Sequence, residues 1–110
     1  MRFTHDELQT IAKWFGWREL VYVNNEWLCG EHSQPDGRYK EFRTLTDDEL
    51  FGILDDKCVE SGYLPKLETT IGCRWYWLFV PGGTNIIGEG KTRLTAVMCA
   101  VLDLLETMSK

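Results

Sequence analysis

Seven consecutive residues, Arg74-Trp75-Tyr76-Trp77-Leu78-Phe79-Val80, constrain the fold of this chain more than any other segment. Aromatic and branched side chains favour a pleated backbone. Because side chains alternate along a strand, Trp75, Trp77 and Phe79 share one face, and Tyr76, Leu78 and Val80 share the other. Both faces are apolar. A strand wet on one side alternates apolar with polar, so this one is expected to be a buried central strand with structure above and below it. Helices, or a second subunit, must supply those layers.

Periodicity supplies three helices. Thr4-His5-Asp6-Glu7 reads as a capping box, Leu8, Ile11, Ala12 and Phe15 recur at helical spacing, and Gly16 is a C-terminal stop, which predicts a helix over about residues 5–15. Thr46-Asp47-Asp48-Glu49 repeats the box, and Leu50, Phe51, Ile53, Leu54 and Cys58 follow before Gly62, which predicts a second helix over about residues 47–61. Thr92 caps a third, over about residues 93–108. Its apolar sector exceeds the roughly 100° of a surface helix, so it is expected in the core or at an oligomer contact.

The remaining elements are extended. Trp17 to Val23 and Glu26 to Cys29 flank Asn24-Asn25, which tolerates positive φ, and so form a two-residue hairpin. A solvated loop follows from Gly30 to Arg38, and Tyr39 to Arg43 adds a short strand. Leu67 to Ile71 precedes the central strand across Gly72, Pro81-Gly82-Gly83 forces a turn, Thr84 to Ile87 returns, and Gly88-Glu89-Gly90 ends that strand. The expected fold is a single α+β domain over residues 1–110: a three-layer helix/antiparallel sheet/helix sandwich with three helices and about five strands.

No motif for catalysis emerges. Gly88-Glu89-Gly90-Lys91-Thr92 resembles the end of a phosphate-binding loop, but Asn85 stands where the spacing requires glycine. A weaker site for an anion remains at the start of the third helix, with Lys91, Thr92 and Arg93; an ordinary cap explains the same residues. Cys29-Gly30-Glu31-His32 offers two zinc-ligand types, with Cys58 and Cys73 as completions, but no second close pair follows and no metal is expected. His5 and His32 have no evident nucleophile beside them, so neither an enzyme nor a cofactor is expected.

Charge points elsewhere. Between Thr44 and Glu60 stand Asp47, Asp48, Glu49, Asp55, Asp56 and Glu60 against the single base Lys57, and this segment accounts for the net charge of −5. Such a balance disfavours direct binding to nucleic acid, which needs surplus Lys and Arg. It suits a basic protein partner, with Asp47, Asp48, Asp55, Asp56 and Glu60 as contact residues. Trp14 and Trp27 lie off the clearest apolar stripes and are the candidate aromatic anchors, whereas Trp75 and Trp77 are assigned to the core. Cys29, Cys58, Cys73 and Cys99 lie in apolar or helical contexts and are expected as buried thiols. No apolar run reaches the roughly 20 residues of a membrane span, and Met1 to Glu7 has no signal-peptide core, so a cytoplasmic location is expected.

The layout resembles a family of small bacteriophage and prophage proteins, the phage ABA-sandwich domain. Ile11-Ala12 followed by Gly16-Trp17, the polar loop before Thr46-Asp47, the strand from Trp75 to Phe79, and Thr92, Ala96 and Ala100-Val101-Leu102 carry the resemblance. It implies a phage accessory protein acting in the cytoplasm of a bacterial host and brings no catalytic residues. The leading expectation is a non-enzymatic inhibitor of a bacterial antiphage defence system, anti-CRISPR-like, whose acidic surface occupies a basic, nucleic-acid-binding defence component. The alternatives are a protein that sequesters a nucleotide-like ligand, with a pocket at a homodimer interface, and a structural or regulatory phage component.

Overall fold

The computed structural model describes residues 3–30, 43–83 and 85–108. Along them run α1 (His5–Trp14), β1 (Glu19–Val23), β2 (Glu26–Gly30), β3 (Arg43–Leu45), α2 (Asp47–Glu60), β4 (Leu64–Thr70), β5 (Cys73–Phe79), β6 (Ile86–Gly90) and α3 (Arg93–Met108). The chain forms two compact units that divide after Asp47. The α+β class holds. In place of one sheet of about five strands, however, the described residues form two antiparallel sheets, β1-β2-β3 and β4-β5-β6.

In the first unit, the capping box forms as the sequence indicates: Glu7 N–H donates to Thr4 Oγ1 at 3.2 Å, and Thr4 N–H donates to Glu7 Oε1 at 2.9 Å. Gly16, at φ 72°, lets the chain leave α1. Trp17 N–H reaches back to Ala12 O at 2.8 Å and Gly16 N–H to Lys13 O at 3.0 Å, a Schellman closure that satisfies two orphan carbonyls. Asn24 and Asn25, at φ 52° and 63°, supply the left-handed pair of a hairpin turn whose twist matches the flanking strands. The register sets Leu20 opposite Cys29, and Trp27 opposite Tyr22 and Leu45. Leu20, Trp27, Cys29 and Leu45 are buried, as are Leu8, Ile11 and Ala12 of α1. The third strand begins at Arg43; residues 39–42 of the expected strand lie outside the described residues, as does most of the expected loop.

In the second unit, α2 ends with the same closure as α1: Tyr63 N–H donates to Cys58 O at 3.1 Å, Gly62 N–H donates to Val59 O at 3.0 Å, and Gly62 stands at φ 93°. Ile71-Gly72 turns β4 into β5, pairing Thr70 with Cys73, and Gly72 takes φ 77°. Val80-Pro81-Gly82-Gly83 closes through Gly83 N–H to Val80 O at 3.0 Å with Gly82 at φ 71°, the type II pattern.

Two expectations about this unit need correction. Gly88 and Gly90 do not end the strand but lie within β6, because α3 packs directly on its backbone. An added Cβ at Gly88 would overlap Ala96 O and Ala100 N, and one at Gly90 would stand 2.6 Å from Thr95 Cβ. The wide apolar sector of α3 is thereby explained as core, with Val97, Met98, Ala100 and Val101 fully buried.

The second correction concerns β5. Tyr76 and Leu78 are buried at 1% and 0% exposure. Tyr76 meets the Phe51 ring of α2 edge-on at 6.1 Å and hydrogen-bonds Asp55 of the same helix. On that face also lie Ile86, Gly88 and Gly90, opposite Leu78, Tyr76 and Arg74, where α3 packs. Both helices of the unit therefore take one side of the sheet. The Trp75-Trp77-Phe79 face, expected beneath a further layer, has neither helix on it.

Candidate functional site

The open face of the second sheet carries Trp75, Trp77 and Phe79. Trp75 and Trp77 are half-buried and Phe79 is exposed. The register places Leu64 beside Phe79, and Lys66 and Ile87 on either side of Trp77. Leu64 and Ile87 are 66% and 42% exposed, large values for aliphatic residues of a sheet. Trp77 and Phe79 stack at 6.4 Å with planes 12° apart.

Each indole is held by its N–H. Trp75 Nε1 donates to Thr70 Oγ1 at 3.1 Å, and Trp77 Nε1 donates to Glu68 Oε2 at 3.2 Å. Tryptophan tolerates a half-wet position because its polar edge is satisfied while its ring covers apolar surface. Cys73 Sγ lies 3.3 Å from Glu89 Oε1 on this face. Desolvation first, and then the neighbouring carboxylate, push its thiol above the ordinary range. The result is a set of fixed rings flanked by polar side chains, suited to stacking or to apolar docking.

The acidic residues singled out from sequence are not a uniform solvated face. Asp47 Oδ1 accepts from Trp27 Nε1 at 2.8 Å. Asp48 pairs with Arg93, whose guanidinium also lies 4.8 Å from the centroid of the Phe51 ring. Asp55 Oδ1 accepts from Tyr76 O–H at 2.6 Å. Asp56 and Glu60 are exposed. Three of the five proposed contact residues are thus engaged within the chain, although Asp47 and Asp48 are exposed like Asp56 and Glu60.

Trp27, expected as a surface anchor, is only 4% exposed, because alternation along β2 turns it to the buried side with Cys29. Trp14 is half-buried at the end of α1 and meets Phe15 edge-on at 5.4 Å; Phe15 in turn stacks on Trp17 at 4.4 Å. At the third helix, Thr92 Oγ1 accepts from Thr95 N–H at 3.2 Å, the bond of an ordinary cap. Arg93 is turned to Asp48, and Lys91 is exposed. The sequence places an anion on Lys91, Thr92 and Arg93 together; the structure directs the last two to partners within the chain.

All four cysteines are thiols, Cys29 and Cys58 buried, Cys73 and Cys99 half-buried. Among the described residues, no three metal-ligating side chains come together; Glu31 and His32 lie outside those residues. Among the described residues, no helix is long and apolar enough to cross a membrane.

Sequence reasoning missed the open face because it judged β5 alone. The signal lay in the neighbouring strand: Lys66, Glu68 and Thr70 alternate with Pro65, Leu67 and Thr69, and a strand polar at every second position announces a wet face. Comparison with known proteins finds no match to this chain among family models, curated proteins or solved structures.

Proposed function

We propose that the protein is a small, non-enzymatic binding protein of phage or prophage type that engages a protein partner through the open face of β4-β5-β6. The observation that carries this reading is the row Trp75, Trp77 and Phe79, fixed in orientation and bordered by the exposed Leu64 and Ile87. Aromatic rings of this kind contribute most of the affinity in many protein interfaces. In a helix/sheet/helix sandwich this is the face a third layer covers, and here the partner supplies that layer.

The partner chemistry follows from charge and from the resemblance to phage ABA-sandwich proteins. A chain of net charge −5 is drawn to a basic protein, and a nucleic-acid-binding component of a bacterial antiphage system is the target we assign. The acidic contribution rests on Asp56 and Glu60, since Asp47, Asp48 and Asp55 have partners within the chain.

Capture from a bacterial host carrying such systems tests this, with the wild-type chain and two variants compared by mass spectrometry. Ile87→Glu should lose the partner. Asp56→Lys with Glu60→Lys should weaken capture and remove its salt dependence. Equal capture by Ile87→Glu and wild type, both folded, would sink the aromatic-face reading; unchanged salt dependence in the acid variant would remove the acidic contribution.

A further inference from the structure

The geometry points to a second copy of this chain as the occupant of the free edge of β4, joined in one defined antiparallel register. The inference is independent of the partner proposed above. Among the described residues, β4 is an outer strand, paired with β5 and with no other strand. It is exposed along Leu64–Thr70 except at Pro65, which is half-buried. An uncovered outer strand of seven residues is a template for another strand unless the sequence forbids it.

Backbone parity decides which residues face that edge. Thr70 and Cys73 flank the two-residue turn and are partners in the ladder, so Thr70 directs its backbone groups to β5. Hydrogen-bonded and non-hydrogen-bonded pairs alternate along an antiparallel ladder. Glu68, Lys66 and Leu64 therefore share the direction of Thr70, while Thr69, Leu67 and Pro65 turn theirs to the free edge. The position of Pro65 agrees with this, since a proline nitrogen is tolerated in a strand where it points away from the ladder.

Side-chain charge then selects the register. Centring the two-fold axis on Leu67 makes Leu67 and its symmetry copy a hydrogen-bonded pair and sets Thr69 N–H of each chain toward Pro65 C=O of the other. The same register sets Lys66 opposite Glu68 of the second copy, twice by symmetry. These fall at non-hydrogen-bonded positions, where opposing side chains come closest. Sliding by two residues one way sets Lys66 against Lys66, and the other way Glu68 against Glu68, both unfavourable. A slip of one residue mismatches the backbone groups. The strand Leu64-Pro65-Lys66-Leu67-Glu68-Thr69-Thr70 is thus self-complementary in one register and self-repelling in its neighbours. Pairing about this axis keeps both open faces on the same side of a six-stranded sheet.

Sedimentation of the full chain from micromolar to millimolar concentration, with thermal melts to confirm folding, tests the proposal. Wild type should dimerise. Glu68→Lys and Lys66→Glu, each creating two like-charge pairs, should each weaken the dimer about tenfold, and the double exchange Lys66→Glu with Glu68→Lys should restore it. Lys66→Glu leaves the Glu68 bond to Trp77 in place, so its effect is not a consequence of disturbing that ring. Hydrogen exchange should show the Leu67 and Thr69 amides protected as concentration rises. A wild-type monomer throughout, a dimer indifferent to both single changes, or a folded double variant that stays monomeric would each overturn it.

Discussion

Trp27, Asp47, Tyr76 and Asp55 show what the one-dimensional record conceals about single residues. Read along the chain, the aspartates are charge and the aromatics are bulk. In space, each carboxylate accepts a hydrogen bond from the polar group of a buried aromatic side chain. Removing the donor is expected to be costly, because hydrogen bonds to charged groups contribute about 1.5–3 kcal/mol. Tyr76→Phe should lose roughly that amount in chemical denaturation. Beside this pair, burial pushes the Cys58 thiol from 9.0 up to about 11, and burial and the bond to Asp55 push the Tyr76 phenol upward from 10.0. Between pH 9 and 11 the unfolded chain has lost a thiol proton that the folded chain keeps. The contribution of these two groups to stability is therefore full below pH 9 and falls as pH rises, with the phenol adding to the fall from its ordinary value upward. Melting temperature measured across this range should show the decline, and Cys58→Ala should flatten its first part.

The elements separate glycines of opposite meaning. Gly52 lies inside α2 with nothing within 4 Å of where a Cβ would stand. Gly52→Ala is thus expected to stabilise the protein by about 0.5–1 kcal/mol, the helix preference of alanine over glycine. Gly88 lies inside β6 against the backbone of α3, so Gly88→Ala should destabilise by about 3 kcal/mol, as overpacking against atoms that cannot rotate away. Thermal melts of the two variants should move in opposite directions. Where local chemistry decides, the elements were legible: the Thr4 box, the closures at Gly16 and Gly62, and the Asn24-Asn25 turn each involve residues at most five apart. The extent of β6 was not, because a glycine that ends a strand and one that admits a helix to it look alike in sequence.

At the scale of the whole molecule, the open sheet face carries the strongest expectation. A face closed by packing would not accept a charge at Ile87, whereas substitutions on an open surface change stability by less than about 0.5 kcal/mol. Ile87→Lys is expected to melt within that margin of wild type and to be more soluble, which urea denaturation and a precipitation curve would check. A large loss of stability would mean that Ile87 is covered, and would remove the surface on which the proposed binding rests.

Which segments are helical, where each stops, the hairpin turns and the location of the charge were legible from residue order, since all of these depend on neighbours within a turn or two. So was the apolar character of both faces of β5. The division of the strands into two sheets, and the placing of α2 and α3 on one side of the second, came from long-range packing. An apolar side chain satisfies its solvation by meeting any other apolar group, so composition specifies how much surface asks to be covered without specifying what covers it. Direction came from contacts between residues far apart in the chain: Tyr76 with Asp55, and Gly88 with Ala96 and Ala100.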